Sequence, residues 1–103
     1  MIGVIVTFRA DHDLDRSVVA KIAEEARGMF EGMPGLRSKV FTIDQSNGQA
    51  RNFYVWESED AARGFFSDAL VERVTGLYGV RPTVSFVEVA ELVDNAVGAA
   101  AAS

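Results

Sequence analysis

Residues 2–8, Ile-Gly-Val-Ile-Val-Thr-Phe, form a β-branched apolar run, which predicts a buried first strand. Asp11, Asp13 and Asp15 follow, and carboxylates suit both the cap of a helix and the positive end of its dipole. Leu14, Val18, Ile22, Ala26, Met29 or Phe30, and Met33 recur every three to four residues before Pro34-Gly35. That spacing predicts one apolar helix face with a sharp end. A second strand is expected over residues 36–44. Ser46-Asn47-Gly48 is the strongest short turn signal in the chain, because Asn-Gly suits a type I′ hairpin. The returning strand covers residues 52–56. Ser58 with Glu59 and Asp60 can cap a second helix that carries Ala62, Phe65, Phe66, Ala69, Leu70, Val74 and Leu77, and that Gly76 or Gly79 ends. A last strand is expected within residues 82–93. The Ala-rich tail, residues 96–103, has little to anchor it and is expected to fray.

Strand, helix, strand, hairpin, strand, helix, strand is the order of two split β-α-β units. It predicts an α+β, ferredoxin-like βαββαβ domain over residues 1–95, with a four-stranded antiparallel sheet and both helices on one face. Two helices cover only one side of such a sheet. The first and third strands are nevertheless apolar at nearly every position, whereas strands buried on one face should alternate. The other face needs a cover, and a second copy is the economical one. A homodimer is therefore expected.

A chain of 103 residues has room for one domain. Its net charge of -5 speaks against nucleic acid, which calls for a basic footprint. The absence of cysteine removes disulfides, thiolate metal sites and cysteine nucleophiles. No apolar run approaches the ~18 residues of a membrane span. The first residues also lack the basic region and apolar length of a secretory leader. A cytoplasmic domain without membrane contact is the expectation.

With Asn47-Gly48 as a two-residue turn, Ser46 faces Gln49. Lys39 then faces Trp56, and Phe41 faces Tyr54, on the side of the sheet that also holds Ile43 and Asn52. Lys39 interrupts an otherwise strand-like stretch. A partly desolvated ammonium could stabilise an oxyanion or enolate, or act as a base once its pKa falls. It could equally snorkel to the sheet edge or pair with Glu57 or Glu88. Tyr54 and Trp56 could line an aromatic pocket or simply pack in the core. Arg9 closes the first strand, where it could meet an anionic substrate group or lie solvated. His12, the only histidine, reads as an exposed loop residue beside a capping aspartate, so no metal site is expected. No serine has a histidine at a triad spacing, and no glycine run cradles phosphate. Neither a flavin, a haem nor a nucleotide is indicated, and no cofactor is expected.

Pro34-Gly35-Leu36-Arg37-Ser38-Lys39-Val40-Phe41-Thr42 has the form Pro-Gly-x-x-x-Lys-Val-aromatic-Thr. Together with Tyr54, Ala61-Ala62, Gly79-Val80 and Phe86-Val87-Glu88-Val89 it resembles the YdhR-like monooxygenases, of the dimeric α+β barrel superfamily that also holds antibiotic-biosynthesis monooxygenases. The likeness spans residues 4–94. It implies a homodimer with facing sheets and a pocket between sheet and helices in each protomer. It also implies cofactor-independent oxygenation of a small aromatic, such as a phenol, a quinol or a polyketide-like ring. Lys39 and Tyr54 match the pattern and are the expected catalytic positions, and Trp56 holds an aromatic place in it. Phe41 and Trp56 would hold the ring, and Arg9, from its place at the strand end, is the further expected substrate contact. The Asn and His of haem-degrading relatives are missing from the corresponding strand and helix. A cyclase or isomerase working through an enolate, a non-catalytic binder of aromatics and a dimeric interaction module remain open beside the oxygenase.

Overall fold

The computed structural model describes residues 1–9, 15–93 and 95. His12, Asp11, Asp13 and the tail at 96–103 lie outside them. Four strands, β1 (Ile2–Arg9), β2 (Leu36–Phe41), β3 (Gln49–Trp56) and β4 (Thr83–Glu88), form one antiparallel sheet in the order β2-β3-β1-β4. This is the ferredoxin-like arrangement, with the apolar run of β1 central. Val4, Val6 and Phe8 are buried on one face, against Tyr54, Asn52 and Ala50 of β3. Val19 and Ala62 from the helices close that core.

Helix α1 (Arg16–Phe30) begins on Asp15, whose carboxylate accepts from the Ser17 N–H at 2.9 Å. Of its two adjacent valines, Val19 (5% exposed) faces the sheet and Val18 (52%) faces outward. The buried stripe therefore departs from the expected one by a single residue. After α1 the chain turns through Gly35, at φ +81°, where a Cβ would come within 2.9 Å of Ala61 Cβ. Only glycine fits there.

The single second helix expected from the sequence is two: α2 (Glu59–Phe65) and α3 (Asp68–Tyr78). Ser67 starts α3 by accepting from the Leu70 N–H at 3.2 Å. Adjacent residues of a continuous helix point about 100° apart. The break lets Phe65 and Phe66 both reach Tyr54 and Trp56. Gly76 lies within α3, and Gly79 ends it.

The β2–β3 connection also departs from expectation. A type I′ turn needs positive φ at both central residues, yet no non-glycine residue among those described has one. A 3₁₀ turn at Gln45–Asn47 is followed instead by Gly48 at φ +62°. Asp44 organises it, accepting from Asn47 Nδ2 at 2.6 Å and Ser46 Oγ at 3.1 Å. Asp44 and Gln49 close the loop with paired backbone bonds of 2.7 and 3.0 Å. The loop thus holds four residues rather than two, and β2 slides by two positions. Lys39 pairs with Tyr54 and Phe41 with Asn52, while Leu36 reaches Trp56 across a bulge at Arg37. A shift of two keeps Ser38, Lys39, Val40 and Phe41 on their expected faces, whereas the bulge turns Leu36 to the helix-covered side.

Candidate functional site

Lys39 stands on the helix-covered face of β2, an edge strand, directly opposite Tyr54. Its Nζ donates to Tyr54 Oη at 2.6 Å. The same nitrogen lies 3.6 Å from the ring centre of Phe30, 4.1 Å from that of Phe41 and 4.3 Å from that of Tyr54. No carboxylate pairs with it among the described residues; Glu57 lies instead 3.7 Å from Arg37. Aromatic faces attract a cation, but three rings and a phenol do not replace the water an ammonium loses. Burial accordingly pulls the Lys39 pKa down from 10.5 to about 7. The amine is part neutral at physiological pH.

Beside the Lys39–Tyr54 pair a cavity of about 80 Å³ lies between the sheet and the helices. Val6, Phe8 and Val84 form its floor, with Phe30 of α1 and Phe66, just after α2, in the walls. Met29 of α1 and Leu77 of α3 line it while remaining largely exposed, so its mouth lies between those two helices. A cavity of about 150 Å³ takes a benzene, so even a single-ring ligand requires side chains at this mouth to move. Methionine and leucine on helix surfaces can do so at small cost.

Asn52, which the sequence places on the Lys39 side of the sheet without a role, is a further residue of the site. It opposes Phe41, lines the cavity and is 3% exposed, and its Oδ1 has no hydrogen-bond partner among the described residues. The signal lay in alternation: Asn52 holds a core-facing position between Ala50 and Tyr54, where an amide is costly unless it is used. Phe41 lines the cavity as expected. Trp56 does not. It is fully buried behind Tyr54, their rings stacked at 6.2 Å, and it faces Leu36 rather than Lys39.

Arg9 also stands apart from the cavity. It is exposed at the end of β1, where the Gln49 amide oxygen accepts from its Nε at 3.2 Å and its Nη2 at 3.0 Å. Alternation along β1 puts Phe8 on the cavity side and Arg9 on the uncovered side of the sheet, away from the cavity. Among the described residues no group of three or more His, Asp or Glu side chains is arranged around a metal position. No helix among them is long and apolar enough to cross a membrane.

No protein-family model matches the sequence, and no curated protein matches it. Solved structures do. A monooxygenase from the gene ActVA-Orf6 of Streptomyces coelicolor, in complex with nanaomycin D, superposes with a TM-score of 0.65 at 23% identity, covering 90% of each chain. The fold is shared. SnoaB, a cofactor-independent oxygenase from Streptomyces nogalater, was solved as an asparagine-to-alanine variant; it gives a TM-score of 0.64 at 11% identity, over 91% of this chain and 97% of its own. An antibiotic biosynthesis monooxygenase gives 0.62 at 15% identity, over 88% and 100%. At these identities the likeness establishes the ferredoxin-like α+β architecture of such oxygenases, and the chemistry rests on this chain's own side chains.

Proposed function

We propose that this protein is a cofactor-independent monooxygenase of the antibiotic-biosynthesis type, acting on a small hydroxyaromatic ring. Within that group the motif over residues 34–42 allies it to the YdhR-like branch. The observation that carries the reading is the Lys39 amine, bonded to Tyr54 Oη at 2.6 Å on the wall of an apolar cavity. A phenol or enol held there meets a base whose pKa, about 7, suits proton transfer near neutrality. Lys39 takes the proton, and its ammonium then neutralises the ring anion in a medium of low dielectric. Tyr54 and the Asn52 amide fix the orientation of the oxygen substituents.

An electron-rich carbanion of this kind can itself reduce oxygen. The ring carbon, having lost one proton, adds O₂ to form a peroxide anion, which the Lys39 ammonium protonates. Loss of water from the hydroperoxide leaves a carbonyl. Overall a CH₂ and O₂ become C=O and H₂O, with all electrons supplied by the substrate. The neighbouring oxygenase described as cofactor-independent supports this reading, as does the ligand-bound monooxygenase of the same fold.

We further propose that two copies pair through the uncovered sheet face. Val40, Phe53 and Ile5 form a row across β2, β3 and β1 on that side. Val40 is 52% and Phe53 39% exposed in the single chain, an apolar surface suited to a second copy.

Oxygen uptake with a panel of phenols, quinols and anthrone-like compounds, in the presence of a chelator, tests the activity. One O₂ consumed per carbonyl formed is the expected stoichiometry. Uptake no faster than the uncatalysed background across the panel would reject it. Product formation without oxygen would assign the cavity to enolate cyclisation or isomerisation instead.

A further inference from the structure

Lys39 is one of two lysines in the chain, and it belongs to two spaces at once. Besides the inner cavity, a more open cleft of about 310 Å³ runs between the C-terminal end of α1 and β2. Phe30, Lys39 and Phe41 line both. Lys39 thus stands with Phe30 and Phe41 between the inner cavity and the open cleft. Its nearest polar group is a phenol rather than a carboxylate. Lys21, by contrast, lies on the exposed side of α1.

We propose that Lys39 is a site of reversible covalent capture for small aromatic aldehydes and ketones, held as a Schiff base with Tyr54 as the proton donor. The amine lone pair attacks the carbonyl carbon and the C–N bond forms. Tyr54 Oη protonates the resulting oxygen as the nitrogen gives up a proton. Expulsion of that oxygen as water leaves the imine. The net change is amine plus carbonyl to imine plus water, with no oxidation or reduction. Three features favour it. The ring faces of Phe30 and Phe41 flank the nitrogen and suit an aromatic carbonyl compound. A hydroxyl stands within bonding distance to assist dehydration. A desolvated lysine without a carboxylate partner keeps its lone pair at neutral pH.

This capture uses the same neutral amine as the oxygenase reading but not its oxygen step, so each can fail without the other. The test is cyanoborohydride reduction of the whole protein with benzaldehyde at pH 7, followed by peptide mass spectrometry. The hydride adds to the imine carbon and fixes a benzylamine. We expect Lys39 to be labelled at least about tenfold faster than Lys21, because Lys39 alone sits between aromatic rings with a phenol hydroxyl at 2.6 Å. Tyr54→Phe should slow labelling at Lys39 several-fold and leave Lys21 unchanged. Lys39→Met should lose the fast phase altogether, and its unchanged circular dichroism would exclude misfolding as the cause. Equal labelling of the two lysines, or faster labelling of Lys21, would overturn the proposal whether or not the protein consumes oxygen.

Discussion

The two faces of the single sheet each carry residues at odds with a sheet that is dry on one side and wet on the other, and they do so in opposite senses. The face under the helices is buried, yet it carries an amine, an amide and a phenol: Lys39, Asn52 and Tyr54. The uncovered face carries Val40, Phe53, Ile5 and Val87. Stability alone would favour the reverse, with apolar groups inside and polar ones outside. The same strands supply both faces, one residue apart, so neither pattern follows from strand propensity. In the proposed function the inner polar groups serve the chemistry and the outer apolar groups meet a second copy of the chain. Each half of that statement can be broken separately.

Phe53→Asp puts a charge at the centre of the uncovered face and should abolish the proposed dimer. Sedimentation at micromolar concentration is expected to fall from about twice the 11.2 kDa chain mass to that of one chain. A well-folded wild-type monomer would remove the outer half of the comparison.

Lys39→Met tests the inner half. Turnover should drop by about 10²-fold, the loss of one preorganised charge at a developing anion. Melting temperature should rise, because the variant no longer holds an ammonium among rings. The pH dependence has a definite sign. With its pKa at about 7 in the fold against 10.5, the folded protein binds fewer protons than the unfolded chain between those values. Wild-type stability, measured relative to Lys39→Met, should therefore increase as pH rises from 7 to 10 and stay depressed below 7. Lower stability of Lys39→Met at all pH values would make the lysine structural.

Asn52→Leu should have the smallest effect. Removing an unpaired buried acceptor is expected to stabilise the fold by about 1 kcal/mol, read from urea denaturation. Turnover should fall by roughly tenfold as substrate orientation loosens. Unchanged turnover would reduce Asn52 to a packing residue.

How much of this was legible beforehand differs between face and partner. The hairpin register read from Asn47-Gly48 was wrong by two positions, because Asp44 gathers Ser46 and Asn47 into a 3₁₀ turn. Even so, Lys39, Phe41 and Tyr54 came out on one side, since a slip of two preserves the pleat. Lys39 and Trp56 were expected to oppose each other, and instead Lys39 opposes Tyr54. The sequence predicts a continuous second helix because Ala62, Phe66, Leu70 and Val74 keep helical spacing across the break. Local periodicity cannot register a cap that serves to bring Phe65 and Phe66 to the same ring system.

The chain's own pattern of apolar and polar residues determined the order of elements, the ferredoxin-like sheet and the side of it on which the candidate chemistry falls. These follow from periods of two and three and a half residues, which are local properties of the backbone. Tertiary structure decided the rest. The pairing of Lys39 with Tyr54, the seat of its amine between Phe30 and Phe41, and the retreat of Trp56 and Arg9 from the cavity all depend on contacts between distant segments. So does the lowered pKa: Phe30 comes from α1, Phe41 from β2 and Tyr54 from β3, and only their convergence strips the water that would otherwise keep the lysine charged.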